Sequence, residues 1–163
     1  MSRVVRAATP DDLPAVTVLY GREITGSTAT FELVPPSLDQ MAERHAAVVG
    51  HGLPWLVAEV DGRFAGYAYL SPFRPRPAYR YGVEGSLYVE KAARGRGVGF
   101  TLLTALIEVA RARGLRHVIG AISDSQTSAA SIRLHERLGF RRVGAYAQVG
   151  WKFDRWLDVT LMQ

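Results

Sequence analysis

The sequence predicts one α+β domain built on a mixed, twisted sheet of about seven strands. Three observations carry this. Hydrophobic patterning gives the order β-α-α-β-β-β-α-β-α-β-β over residues 1–163. Three of those strands follow one another with short connections, so antiparallel pairing precedes the strand–helix–strand step that must be parallel. The glycine-rich stretch Arg94-Gly95-Arg96-Gly97-Val98-Gly99 comes late, after the fourth strand. A doubly wound dinucleotide fold would place its glycine turn after the first strand.

Val4 to Ala8 alternates as a first strand. Thr9-Pro10-Asp11-Asp12 is a helix start, with Thr9 as cap and Pro10 at the first helical position. Pro14 sits awkwardly in that register, and a start capped by Asp11 would bring it into the first turn. Leu13, Val16, Leu19 and Tyr20 then share one helix face, and Gly21 or Gly26 ends the helix. Ser27 to Phe31 is a loop of small polar residues with one aromatic, and Pro35-Pro36 forbids helix. Ser37 and Gln40 form a capping box for a second helix to about Val49.

Trp55–Val60 and Arg63–Leu70 flank Asp61-Gly62, which predicts a tight hairpin. A Pro- and Arg-rich loop, Pro72 to Gly82, leads to a third meander strand, Val83 to Val89. The next helix, Phe100 to Arg113, places Leu102, Leu103, Leu106, Ile107 and Ala110 on one face, and Gly114 stops it. His117 to Ile122 reads as a buried strand and Ser128 to Leu138 as a helix stopped by Gly139. Arg141–Lys152 and Trp156–Met162 complete the sheet.

Composition narrows the class. With 48% hydrophobic and 21% charged residues the chain is globular rather than disordered. It holds no apolar run of bilayer length, no signal-peptide core at its N-terminus and no cysteine. Thiolate chemistry and disulfides are excluded, and a cytoplasmic enzyme is the simplest expectation. The net charge is +5, from 20 basic and 15 acidic residues. The basic residues are scattered without a run, so an anionic small ligand accounts for the excess better than nucleic acid does. The four histidines, His45, His51, His117 and His135, show no metal-ligand spacing.

The Arg94–Gly99 stretch joins a strand to a helix start. Glycines remove the Cβ between backbone amides and a ligand, and the helix start adds unpaired N–H groups and a positive dipole end. The result suits a phosphate, and two arginines add charge. A glycine-rich turn that binds nothing is the plain alternative. A P-loop is excluded because no Gly-Lys pair exists. A dinucleotide fingerprint fails in both registers, on Phe100 and on Leu102. The pattern R/Q-x-x-G-x-G/A fits, on Arg94, Gly97 and Gly99.

That pattern resembles the acyl-CoA signature of the GNAT acyltransferase superfamily, and the element order matches its fold. Val83–Val89, Ser131–Phe140 and Trp151–Val159 are similar to the phosphinothricin / methionine sulfoximine acetyltransferase branch, in order and over nearly the whole chain. The resemblance implies acetyl-CoA as cosubstrate, the α-amine of a small amino-acid analogue as acceptor, splayed central strands and a homodimer. It implies that Arg94, Gly95, Arg96, Gly97, Val98 and Gly99 hold the CoA pyrophosphate, and that Leu87, Tyr88 and Val89 line the pantetheine path, an amide near Val89 serving the oxyanion.

Glu84 is the candidate base for the amine, directly or through water. His135 stands where many relatives carry Tyr and would serve as acid or second base. Arg74, matching the branch, is the first choice for the substrate carboxylate, with Arg76, Tyr79 and Arg80 beside it in the loop. Phe31 and Tyr88 would wall the pocket. The usual Asn of an N-x-x-S pattern is absent. Ser128 stands in its place before Ser131, and Gln126 is the other source of such a contact. Acetylation of a protein N-terminus, a non-catalytic CoA sensor and a nucleic-acid module are the competing functions.

Overall fold

The computed structural model describes residues 2–163. Its elements are β1 (Arg3–Ala7), α1 (Leu13–Gly26), α2 (Leu38–Gly50), β2 (Trp55–Val60), β3 (Arg63–Pro72), β4 (Gly82–Val89), α3 (Val98–Ala112), β5 (His117–Ser123), α4 (Ala129–Arg137), β6 (Arg142–Lys152) and β7 (Arg155–Met162). They form one seven-stranded sheet in the order β1-β2-β3-β4-β5-β7-β6. Among the described residues only β4 and β5 pair in parallel. The mixed α+β sheet flanked by helices is the arrangement the patterning predicts.

Local chemistry set most boundaries. Asp61 and Gly62 both adopt left-handed φ, 51° and 73°, as a two-residue hairpin turn requires. The Ser37 capping box closes reciprocally: the Gln40 amide donates to Ser37 Oγ at 3.2 Å and the Ser37 amide to Gln40 Oε1 at 2.9 Å. The first helix starts differently from either sequence register. Thr9 caps a short 3-10 turn, Pro10–Asp12, and α1 begins after Asp12, with Pro14 at its second position. The missing N–H of Pro14 then falls among groups that have no helical partner anyway. α1 runs through Gly21 and ends at Gly26.

α1 and α2 cover one face of the sheet, where Val16, Leu19, Ile24, Met41, Trp55, Val57 and Tyr67 pack together. α3 covers the other, through Leu102 and Leu106 against Leu56, Ala58, Leu70 and Val83. A third cluster joins α3 and α4 to the far half of the sheet, through Leu103, Ile122, Ile132, Phe140 and Met162. β5 is less buried than its apolar run predicts: His117 is exposed at its start, and Ala121 is exposed where β5 has left β4. Among the described residues no helix is long and apolar enough to cross a membrane.

Candidate active site

The β4–β5 ladder pairs Gly82, Val83 and Glu84 with His117, Val118 and Ile119, and then stops. From Gly120 onward β5 pairs with β7, while β4 stays on β3 as far as Val89. The strands fork, and one edge of β4 from Gly85 to Val89 has no neighbouring strand. A cleft of about 810 Å³ fills the fork and runs along the start of α3 and one side of α4. Free backbone groups at a sheet edge can pair with an extended ligand.

The cradle lies at one end of this cleft. Gly97 caps α3 with φ 80°, a left-handed conformation that favours glycine. The first helical bond runs from the Thr101 amide to the Gly97 carbonyl at 3.0 Å. The amides of Val98, Gly99 and Phe100 therefore have no partner within the helix. Gly95, Gly97, Val98 and Gly99 line the cleft. A Cβ at Gly97 would point at the Arg3 guanidinium, which donates to the Arg96 carbonyl at 3.1 Å. Glycine is favoured there by backbone conformation, whereas the exposed Arg3 side chain can move aside.

The two arginines of the stretch are not equivalent. Arg94 is exposed but paired at the cleft wall: its Nη2 binds the Glu23 carboxylate at 2.5 Å and its Nε donates to the Val89 carbonyl at 3.1 Å. Its charge is matched by Glu23, which also accepts from Ser27 Oγ at 2.7 Å. Arg96 is exposed and stands outside the cleft wall. The phosphate-binding capacity of the loop therefore resides in amides and the α3 dipole more than in these side chains.

Residues alternate in direction along β4. Val83, Leu87 and Val89 pack on the α3 side. Glu84, Ser86 and Tyr88 face the α1–α2 side, where Tyr88 stacks on Tyr67 at 5.3 Å and meets Tyr20 edge-on at 5.1 Å. Leu87, Tyr88 and Val89 all line the cleft. Glu84 is the last residue before the fork, opposite Ile119 and Ser71. Burial raises its carboxyl above the ordinary range.

His135 is buried and lines the cleft from α4. Its Nδ1 lies 2.8 Å from the Ser131 carbonyl. A carbonyl only accepts, so Nδ1 carries the proton and Nε2 is the free acceptor. A Cβ at Gly120 would come within 3.0 Å of Nε2, so the ring lies directly on β5. Burial lowers the imidazole's pKa, leaving it neutral at pH 7. The structure places His135 on the α3–α4 side and Glu84 on the opposite face of the sheet.

Ser128 and Ser131 line the cleft, whereas Gln126 is exposed outside it. Arg74, Arg76, Tyr79 and Arg80 are exposed on the β3–β4 loop and none lines the cleft. Arg74 lies over Phe73 at 5.0 Å and Tyr79 at 5.9 Å, and Arg80 lies over Tyr81 at 4.5 Å. This loop leaves the same end of the hairpin as Glu84, since the Phe73 amide donates to the Gly82 carbonyl at 3.3 Å. Phe31 lies against Gly150 of β6, where a Cβ would strike its ring. Beside it Tyr20 Oη meets Thr30 Oγ1 at 2.9 Å and donates to Glu32 at 3.0 Å.

Several cleft residues escaped the sequence reading. Glu23, Thr28, Ser123, Phe153 and Arg155 form part of the wall, and buried Asp124 and Lys152 lie behind it. Thr28 and Asp124 are 96 positions apart, so no local pattern joins them. Among the described residues no group of three or more His, Asp or Glu gathers as a metal site.

The acetyltransferase (GNAT) family model matches residues 22–140. The chain is 46% identical over 159 residues to the phosphinothricin N-acetyltransferase of Alcaligenes faecalis, covering 98% of this chain and 80% of that one. It is 43% identical over 164 residues to the L-methionine sulfoximine/L-methionine sulfone acetyltransferase of Pseudomonas paraeruginosa, covering 100% and 94%. Among solved structures it resembles a GNAT superfamily phosphinothricin acetyltransferase from Sinorhizobium meliloti in complex with AcCoA. That likeness has a TM-score of 0.95 at 40% identity, covering 99% of this chain and 87% of that one.

The left-handed cradle yields a direct test. Gly97→Ala should cost about 1–2 kcal/mol of backbone strain and disturb the amides of the α3 start. CoA affinity by calorimetry should fall by about tenfold or more, the worth of one charge-assisted hydrogen bond. A folded variant that binds CoA as the parent does would remove the cradle from the cofactor site.

Proposed function

Since the chain belongs to the GNAT acetyltransferase family, we propose that it acetylates the α-amine of a small amino-acid analogue of the phosphinothricin, methionine sulfoximine or methionine sulfone type. It is an acetyl-CoA-dependent N-acetyltransferase. The observation that carries the finer reading is the fork. An unpaired strand edge and an amide cradle meet along one cleft, and the half-buried Glu84 carboxyl stands at the last paired position beside it, outside the cleft lining.

In this reading the cradle amides hold the pyrophosphate, with Gly95, Gly97, Val98 and Gly99 at the wall and Arg94 shaping the loop. Arg96 contributes from outside as a diffuse charge. The pantetheine arm follows Leu87, Tyr88 and Val89 on one side and Ser128 and Ser131 on the other. The free edge of β4 supplies an N–H near Val89 for the oxyanion. Glu84 takes a proton from the substrate ammonium, directly or through water. The amine nitrogen then attacks the thioester carbon, the C–S bond breaks, and the second N–H proton passes to the departing thiolate. A general base needs a pKa near working pH, and the burial of Glu84 moves it that way. His135 is neutral with only Nε2 free, so it fits the second-base role and not the acid role.

We assign Arg74 to the substrate carboxylate, with Arg76, Tyr79 and Arg80 around it, because the loop rises from the end of the sheet that carries Glu84. Phe31 and Tyr88 wall the pocket from the α1–α2 side. One sheet spanning β1 to β7 supports a single catalytic domain over residues 1–163. A homodimer is supported by β6, an edge strand that exposes Val143, Tyr146, Val149 and Trp151, each at least half accessible. The absence of cysteine accords with a cytoplasmic location.

A turnover screen with acetyl-CoA across free amino acids, their sulfone, sulfoximine and phosphinic analogues, and short peptides tests the reading. We expect the analogues to be best; preference for peptides would mark a protein N-terminal acetyltransferase, and no turnover a binding module. Arg74→Lys, which keeps charge but loses the planar fork, should raise KM for the amine and leave KM for acetyl-CoA unchanged. Glu84→Gln should lower kcat by about 10²–10⁴-fold at neutral pH. The loss should shrink as pH rises and more amine arrives deprotonated. In the parent enzyme, kcat/KM should rise with pH through a step above the ordinary carboxylate range, because burial raises Glu84 and only its ionised form accepts a proton. A Glu84→Gln enzyme with near-normal kcat at neutral pH would pass the base role elsewhere.

A further inference from the structure

Asp124 is 3% exposed, at the point where β5 ends and the turn into α4 begins. It adopts φ 53°, an uncommon value for a residue with a side chain. One oxygen, Oδ2, receives three donors. Thr28 Oγ1 donates at 2.9 Å, Thr127 Oγ1 at 2.7 Å, and the Arg155 guanidinium completes the set. The Arg155 guanidinium, aided by the two hydroxyls and opposed by burial, holds the carboxyl down at about 2. The Asp124 carbonyl accepts from the Thr127 amide at 3.1 Å and the Ser128 amide at 2.9 Å, which sets the start of α4.

The donors come from three separate parts of the chain, and Thr28 is the distant one. It belongs to the connection after α1, whose residues Ser27, Thr28 and Ala29 form part of the cleft wall. The same connection is fastened twice more: Ser123 Oγ donates to the Thr28 carbonyl, and buried Lys152 Nζ donates to the Thr30 carbonyl at 2.8 Å. None of these side chains has a role in the proposed chemistry. Their shared effect is to hold the 27–30 segment across the fork, against the half of the sheet that has swung away from β4.

We propose that Asp124 is a positioning residue that latches the 27–30 segment over the cleft, making it the wall against which the pantetheine arm of acetyl-CoA lies. The inference rests on the acetyl-CoA reading of the cleft. The latch joins the two sides of the fork, because Ser27 is tied through Glu23 to Arg94 on the β4 side while Thr28 is tied to Asp124 on the β5 side. Loss of the Thr28–Asp124 bond loosens the segment on the β5 side, where only the Ser123 and Lys152 bonds to its carbonyls remain. The cradle at the other end of the cleft keeps its amides, so the effect is confined to the arm and its acetyl group.

The test compares two ligands by calorimetry: acetyl-CoA, and ADP, which carries a pyrophosphate but no pantetheine arm. Thr28→Val keeps the side-chain shape and removes one hydroxyl; Asp124→Asn keeps the size and removes the charge. Both should weaken acetyl-CoA by roughly tenfold and leave ADP unchanged. The double variant should lose little more than the worse single one, since both break one latch. Backbone amides of 27–30 should exchange faster with solvent in both variants. If Asp124→Asn fails to fold, Thr28→Val alone decides. Unchanged acetyl-CoA affinity in folded Thr28→Val overturns the latch, and so does an equal loss for ADP. If the parent protein binds neither ligand, the cofactor reading of the cleft fails instead.

Discussion

The fork between β4 and β5 is the constraint on which the site depends. A parallel ladder of three pairs ends at Glu84 and Ile119, and every feature of the cleft follows from that ending. β5 loses β4 as a partner but gains β7 on its other side, so its own edge stays half satisfied. β4 keeps β3 through Val89 and leaves its other edge open. Unpaired backbone groups are costly unless water or a ligand meets them. Apolar side chains brace the opening from beneath: Leu87 of β4 and Leu134 of α4 pack onto the cluster of Leu103, Ile122 and Ile132. The helices thus keep the strands apart, and the sheet supplies hydrogen-bonding groups that no protein strand uses.

Charge is distributed by the same logic. The net +5 invites the reading that arginines bind the anionic ligand directly. Two that border the cleft do something else. Arg94 is matched by Glu23 and Arg155 by Asp124, each carboxylate largely buried. Breaking such a pair would leave a carboxylate uncompensated out of water, which is why these contacts define the wall geometry rather than act as free charges. In the proposed reading, anion recognition falls to backbone amides and a helix terminus, which cost no side-chain entropy to hold in place.

What the sequence made legible was local. Asp61-Gly62 and the Ser37–Gln40 box each follow from residues within a few positions of one another and stand where they were expected; α3 instead starts at Val98, two residues before the expected Phe100, because left-handed Gly97 caps it. The order of elements was legible for the same reason. Of the residues a motif singled out, Arg94, Gly95, Gly97–Gly99, Leu87–Val89, Ser128, Ser131 and His135 line the cleft, whereas Arg96, Glu84, Phe31 and the Arg74–Arg80 loop do not. The start of α1 was missed by three residues in the Thr9 register and by one in the Asp11 register, because two prolines and two aspartates offer competing registers. The latch was illegible altogether. Thr28 and Asp124 read as ordinary loop residues, and only tertiary pairing across 96 positions gives them a shared purpose. The partner of a side chain in a loop was equally hidden, so Arg94 and Arg96 looked alike although one is paired with Glu23 at the cleft wall and the other stands outside it.

The two candidate catalytic groups end up on opposite faces of one sheet, which decides how they can divide the work. Had the ladder continued, backbone would separate Glu84 from His135 completely. The fork opens a gap immediately beyond Glu84, so a thioester lying in it is reachable from both faces. A substrate amine approaching from the α1–α2 side meets Glu84 beside Tyr69 and Ser86, in surroundings dry enough to raise the carboxyl. From the α3–α4 side the thioester meets His135, neutral and fixed by Ser131. In the proposed reading, the face that carries the raised carboxylate is the amine's face, and the face with the cradle and the α4 start is the cofactor's. A sheet that splits at this position allows acceptor and donor to enter from different sides and meet in the plane of the strands.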